Sequence, residues 1–143
     1  MPNLEDFAGD FQAYNRAVVD EFRRGEVTGM FAGAPLVLIT TTGAKSGQRR
    51  TTPLVHTFDE HGNVVIIASK GGAPSHPDWY RNVEKNPDVT VELPGDTFDA
   101  RARITTGDER RRLFDAQAAL MPNFKEYEQA TTREIPVVVL ERV

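Results

Sequence analysis

The chain has 143 residues, 39% hydrophobic and 27% charged, with a formal net charge of -4; this is the size and make-up expected of one folded domain, residues 1–143, with a core of its own. It contains no cysteine, which excludes disulfides, thiolate nucleophiles and thiolate-held zinc or iron–sulfur centres together. The net acidity argues against general nucleic-acid binding, which needs clustered cations facing the polyanion.

Leu4, Phe7, Phe11, Tyr14, Val18 and Phe22 recur at steps of three and four, which predicts an amphipathic N-terminal helix and connection over residues 1–30. Its other faces carry Glu5, Asp6, Asp10, Asp20 and Glu21, so docking on protein is favoured over adsorption to an anionic membrane. After Pro35 the pattern becomes strand-like over 36–42, 51–58, 64–69, 88–93, 97–105 and 136–141. Turn residues at 60–63 and 94–96 predict antiparallel hairpins joining the second strand to the third and the fourth to the fifth. A short helix is predicted over 78–86 behind Pro77. Thr106 and Glu109 have the spacing of a capping box for a helix that runs to Met121 and stops at Pro122.

This order lacks the β-helix-β alternation of a parallel sheet and predicts an α+β fold, a mainly antiparallel six-stranded barrel with helices packed on it. The longest apolar runs, such as Val64–Ala68, are too short to span a bilayer, and the N-terminus lacks the regions of a signal peptide, so a cytoplasmic protein is expected.

Charge is unevenly placed. No Asp or Glu falls between Val27 and Phe58, where Lys45, Arg49 and Arg50 occur, and Lys70 follows beyond Asp59 and Glu60. GAKSG, Gly43–Gly47, resembles the start of a phosphate-binding loop but lacks the full G-x-x-x-x-G-K-[ST] pattern. A turn carrying a lysine, a hydroxyl and free backbone N–H groups can still hold an oxyanion; the plain alternative is a polar hairpin. SKGG, Ser69–Gly72, repeats the chemistry at the end of the most apolar strand. If strands one, two and three are neighbours, both loops meet one extended anionic ligand. In DWYRN, Asp78–Asn82, an aromatic pair with an amide suits a flat, polar-edged ring, although aromatics at a helix start also serve as core.

His56, His61 and His76 show no metal-ligand spacing, so no metal is expected; His76, in the glycine-rich loop, is placed to touch a ligand. Arg110–Arg112, among acids on a helix, reads as a solvated face. Met121, Phe124 and Tyr127 read as core or as the apolar wall of a pocket.

Taken together, TTTGAKSGQRRTTPL, ASKGGAPSHPDWYRNVEKNP and MPNFKEYEQATTREIPVVVLE resemble the deazaflavin-dependent nitroreductase family, the F420-dependent reductases of actinobacteria. The likeness runs from about Phe31 to the C-terminus. It implies a split β-barrel of the flavin-reductase type and coenzyme F420 as cofactor, a deazaflavin ring joined to a phosphodiester and a glutamate tail. By resemblance, Ala44, Lys45, Ser46 and Arg50 contact the phosphate and tail, and Thr51, Thr52, Pro53, Leu54 and Val55 line the next stretch by backbone and side chain. Ile67, Ala68, Ser69 and Lys70 then hold ring and chain, and Asp78, Trp79, Tyr80, Arg81 and Asn82 close the site. Met121, Phe124 and Tyr127 form the substrate pocket.

The implied reaction is hydride transfer from reduced F420 to small electrophiles: quinones, conjugated enones and lactones such as coumarins, with nitro compounds as a further class. Tyr127, Ser69 or solvent supplies the proton. Relatives that activate nitroimidazoles carry several pocket tyrosines, whereas this chain keeps only Tyr127, which argues against that activity. Alternatives are an FMN-dependent oxidoreductase on the same barrel, a non-catalytic deazaflavin carrier, and a hydrolase using Ser46 or Ser69. Small barrels of this kind often pair, so a homodimer is also expected.

Overall fold

A computed structural model describes residues 11–27 and 31–143; Leu4 and Phe7, the start of the expected helical stripe, lie outside them. The rest of the stripe is the helix α1, Phe11–Arg24. It buries Tyr14 and Val18 against Leu36, with Phe22 and Val55 packed alongside; full burial of such a side chain contributes about 1.5–3 kcal/mol. The Arg23 guanidinium then grips both carboxylate oxygens of Glu92, at 3.1 and 2.8 Å.

Among the described residues seven strands, not six, form one antiparallel sheet: β1 Leu36–Thr42, β2 Arg49–Val55, β3 Thr57–Phe58, β4 Val64–Ile67, β5 Asp88–Leu93, β6 Asp96–Ile104 and β7 Val137–Arg142, in the order β2-β1-β5-β6-β7-β4-β3. The extra strand arises because the expected second strand breaks at His56. Its backbone N–H and ring Nδ1 both turn to the Pro35 carbonyl, at 3.0 and 2.8 Å, which takes this residue out of the ladder. A carbonyl only accepts, so Nδ1 carries the proton. The expected hairpin of strands two and three survives only as Thr57 against Val65 and Phe58 against Val64, while β2 pairs along its whole length with β1. The hairpin of β5 and β6 is complete, from Asp88 opposite Arg101 to Leu93 opposite Asp96.

The two edges of this sheet, β2 and β3, are separated in the chain by His56 alone. Two peptide steps reach about 7 Å at most, so the edges must meet there and the sheet must curl into a half-barrel. Beyond that junction β2, on its side away from β1, and the Ile66–Ile67 end of β4, on its side away from β7, have no strand partner among the described residues. The slot between these two edges is a break in the strand ladder.

Alternation sorts the strand residues by face. The inner face carries Val37, Ile39, Val64, Ile66, Val89, Val91, Ala100, Val138 and Leu140, closed at one end by Trp79, Tyr80 and Val83 of α2, Asp78–Lys85. The outer face of β4 and β7 presents Val65, Ile67, Val137 and Val139 to Leu113, Phe114 and Phe124.

Leu113 and Phe114 belong to α3, Gly107–Leu120, and Phe124 to α4, Asn123–Gln129. The latter is a helix not expected from the sequence: Pro122 stops α3 but also suits a helix start, where its missing N–H costs nothing. The capping box does not form either. Thr106 makes no side-chain cap, because the Glu109 carboxylate is held by both terminal nitrogens of Arg103 at 2.7 and 3.0 Å. Nor is Arg110–Arg112 a uniformly solvated face. Arg110 is buried, donating from Nε to the Ile135 carbonyl at 2.9 Å, while Arg111 and Arg112 pair with Glu128 and Glu60. No helix among the described residues is long and apolar enough to cross a membrane.

Candidate functional site

Strand direction brings the sequence motifs together. β1 and β4 run the same way, since each is separated from the next strand across the sheet by one antiparallel step and four such steps lie between them. The Gly43–Gln48 turn after β1 and the Ser69–Pro77 loop after β4 therefore leave from the same end of the half-barrel, on either side of α2.

α2 holds the first turn by hydrogen bonds. Asn82 is buried and uses both ends of its amide: Oδ1 accepts the Ala44 N–H at 2.9 Å and Nδ2 donates to Thr41 Oγ1 at 3.0 Å. Lys85 Nζ donates to the Ala44 carbonyl at 2.7 Å. The Ser46 hydroxyl accepts the Gln48 N–H at 3.1 Å. With Ala44 N–H spent on Asn82, the Lys45 and Ser46 N–H groups are those that donate to nothing among the described residues. Anion chelation at this turn falls to them.

Several cations around these loops have no carboxylate partner among the described residues. Among the described residues Lys45 meets no acid, Arg50 meets only Gln48 Oε1 at 3.3 Å, and Lys70 only Ser75 Oγ at 3.3 Å. Arg23, Arg103, Arg111, Arg112 and Arg142 each have a carboxylate. Strand alternation separates the neighbours Arg49 and Arg50. Arg50 lies opposite Thr41 on the inner face, and Arg49 lies opposite Thr42 on the outer face, where it bonds Thr42 and Thr90.

The second loop is held tightly. Lys70 has φ +48°, the one left-handed non-glycine residue among those described, a conformation that costs about 1–2 kcal/mol. Gly72, at φ +84°, sits so close to α4 that a Cβ there would lie 2.9 Å from Ala130 Cβ and 3.1 Å from the Tyr127 carbonyl. Ser69 is buried, and its hydroxyl has no hydrogen-bond partner among the described residues. Tyr127 is half-buried, its hydroxyl accepting from Asn123 Nδ2 at 2.9 Å.

A model of the family F420H(2)-dependent quinone reductase matches residues 14–142. The chain belongs to this family. It is an oxidoreductase of the F420-dependent class, as the motifs led us to expect. An F420H(2)-dependent quinone reductase of Mycobacterium tuberculosis is 38% identical over 122 residues, covering 82% of this chain and 81% of the relative. The solved structure of an F420-H2 dependent reductase, FDR-A, shares 44% identity with a TM-score of 0.68, over 75% of this chain and 94% of that one. Another, described as a domain-swapped dimer, shares 36% identity with a TM-score of 0.70 and covers 97% of this chain and all of that one (100%).

For an F420-dependent reductase the remaining expected site residues divide as follows. In Thr51–Val55, Thr52 and Leu54 share the inner face with Arg50. Thr51, Pro53 and Val55 turn outward, with Thr51 bonded to Thr40 at 2.8 Å, so only their backbone edges the slot. Ala68 joins the inner core and Ile67 the outer one. Trp79 and Tyr80 are core, whereas Asp78 and Arg81 are exposed on α2. Phe124 is buried beneath α4, edge-on to Tyr127 at 5.4 Å, and supports that residue from below. Met121 packs on the same cluster.

Two residues of this end went unnoticed in the sequence. Lys85, in the last turn of α2, bears no local sign of its bond to the Ala44 carbonyl. Arg133, in the TTRE loop before β7, donates to three carbonyls of the Ser69 loop, and no local pattern signals that reach.

Proposed function

We propose that the chain binds reduced coenzyme F420 along the slot between β2 and β4 and reduces quinones, conjugated enones and lactones. The observation that carries this reading is that Lys45, Arg50 and Lys70, on elements that meet at one end of the half-barrel, pair with no carboxylate among the described residues, while the Lys45 and Ser46 N–H groups are unspent. A polyanionic tail supplies the missing counter-charge, and the apolar inner face ending at Ala68 suits a flat ring. When bound, reduced F420 supplies a hydride.

The chain's own work is to orient and to exclude water. Asn82 and Lys85 hold the anion turn, and Thr52 and Leu54 line the slot. Ser69 and Tyr127, on either side of the Gly72 contact, are the candidate donors to oxygen on which negative charge develops. The domain-swapped relative supports pairing of two copies as well.

Fluorescence titration with F420, FMN and NADPH tests the cofactor: F420 is expected to bind tightest, and FMN binding at least as tight would overturn the assignment. In the same preparation, menadione and a coumarin should be reduced by F420H2 faster than in protein-free controls. If neither is, the carrier reading replaces the enzymatic one.

A further inference from the structure

The Ser69–Ala73 segment leaves its strand ladder and turns sharply, with the Gly72 N–H on the Ser69 carbonyl and the Ala73 N–H on the Lys70 carbonyl; the carbonyls of Ala68, Ser69 and Ala73 all point to one side chain. Arg133 collects them. Its Nη2 donates to the Ala68 and Ser69 carbonyls at 3.2 and 2.8 Å, and its Nε to the Ala73 carbonyl at 2.9 Å. Its Nη1 lies 2.9 Å from His76 Nδ1. A guanidinium only donates, so Nδ1 must be the acceptor and the ring neutral, with its proton on Nε2.

No carboxylate pairs with Arg133 among the described residues; the charge is held by carbonyl dipoles and a ring nitrogen alone. Withdrawing even a half-buried guanidinium from water without an anion has a cost. A surface loop that merely needed closing would not require it. The turn it closes contains Lys70 at φ +48°, and so needs a restraint to persist.

We infer that Arg133 is a positioning residue of the F420 site: its guanidinium fixes the Ser69–Ala73 turn, and thereby Lys70, and holds His76 as a neutral ring with Nε2–H as its only donor. The inference rests on the F420 reading for what the turn presents, but the clamp itself does not depend on it. The groups facing His76 agree with the assignment. Arg133 and Arg81 disfavour a proton on the ring, and burial against Tyr80, 4.8 Å away between ring centroids, does so more strongly; Glu84 opposes them, and the net effect is a lowered pKa.

The test uses the full chain with Arg133→Met and Arg133→Lys, the second keeping the charge but losing the planar fork. Imidazole nitrogen NMR should show His76 in the wild type as the Nε2–H tautomer titrating below 6.5. Arg133→Met should show a raised pKa and mixed tautomers, and Arg133→Lys, which keeps the charge that opposes protonation, should show mixed tautomers. Unchanged His76 signals would overturn the clamp, whether or not F420 binds.

F420 titration supplies the second arm. Loss of these charge-assisted contacts should weaken binding about tenfold in Arg133→Met. Because Arg133 acts through Lys70, adding Lys70→Ala should cost little more than the worse single variant. Multiplicative losses would overturn the positioning role. If Arg133→Met does not fold, Arg133→Lys carries both readouts. Absence of F420 binding by the wild type would instead sink the cofactor reading and leave the NMR result to decide the clamp.

Discussion

Lys45 and Arg50 are exposed and meet no acid among the described residues, a poor use of charge unless a ligand supplies the anion. Replacing either with alanine should weaken F420 binding by about 1.5–3 kcal/mol, the range for a hydrogen bond to a charged group, and should flatten the salt dependence of binding. Arg49→Ala is the internal control: it faces Thr42 and Thr90 on the outer face and should leave affinity unchanged. Equal losses at Arg49 and Arg50 would mean that the tail lies outside the slot. At this scale the sequence supplied the right residue types. It did not reveal that Asn82, read as a ligand amide, spends both of its ends on Ala44 and Thr41. That requires knowing where α2 sits, 41 residues on from Thr41.

The short segment after β4 shows what an element contributes beyond its residues. Gly71 and Gly72 both have positive φ, at +63° and +84°, but a Cβ on Gly71 meets nothing within 4 Å whereas one on Gly72 runs into α4. Gly71→Ala should therefore cost about 1–2 kcal/mol, the left-handed penalty alone. Gly72→Ala should cost more and should also weaken F420 binding by displacing Ser69 and Lys70. Denaturant midpoints at constant slope measure both; equal costs would refute the packing argument. SKGG could be read as a place of close backbone approach. That the approaching partner includes a helix end was hidden, because α4 itself was masked by Pro122.

At the scale of the whole molecule, closure of the half-barrel depends on His56, buried and donating from N–H and Nδ1–H to Pro35. Burial lowers its pKa below the usual 6.5, against the opposing effect of the Pro35 bond. His76 is lowered too. Both rings are more readily protonated in the unfolded chain. Their contribution to stability is thus complete above about pH 6.5 and is lost as pH falls towards their lowered folded values. Melting temperature should drop between pH 7.5 and 5.5, before most carboxylates titrate. His56→Asn, whose amide can still donate to Pro35, should show a shallower drop; an unchanged slope would assign the titration to other groups.

The sequence by itself determined most of the elements, though not α4 or the break at His56, together with the antiparallel α+β class and the family. Those follow from periodicity, turn residues and motifs, each written within a few neighbouring positions. Only the tertiary structure decided which edges of the sheet meet at His56, which of Thr51–Val55 face inward, why Glu109 serves Arg103 rather than a cap, and how Arg133 reaches back 64 residues to Ser69. These are choices between partners far apart in the chain, made by packing and by the need to satisfy every buried polar group, and no local pattern encodes them.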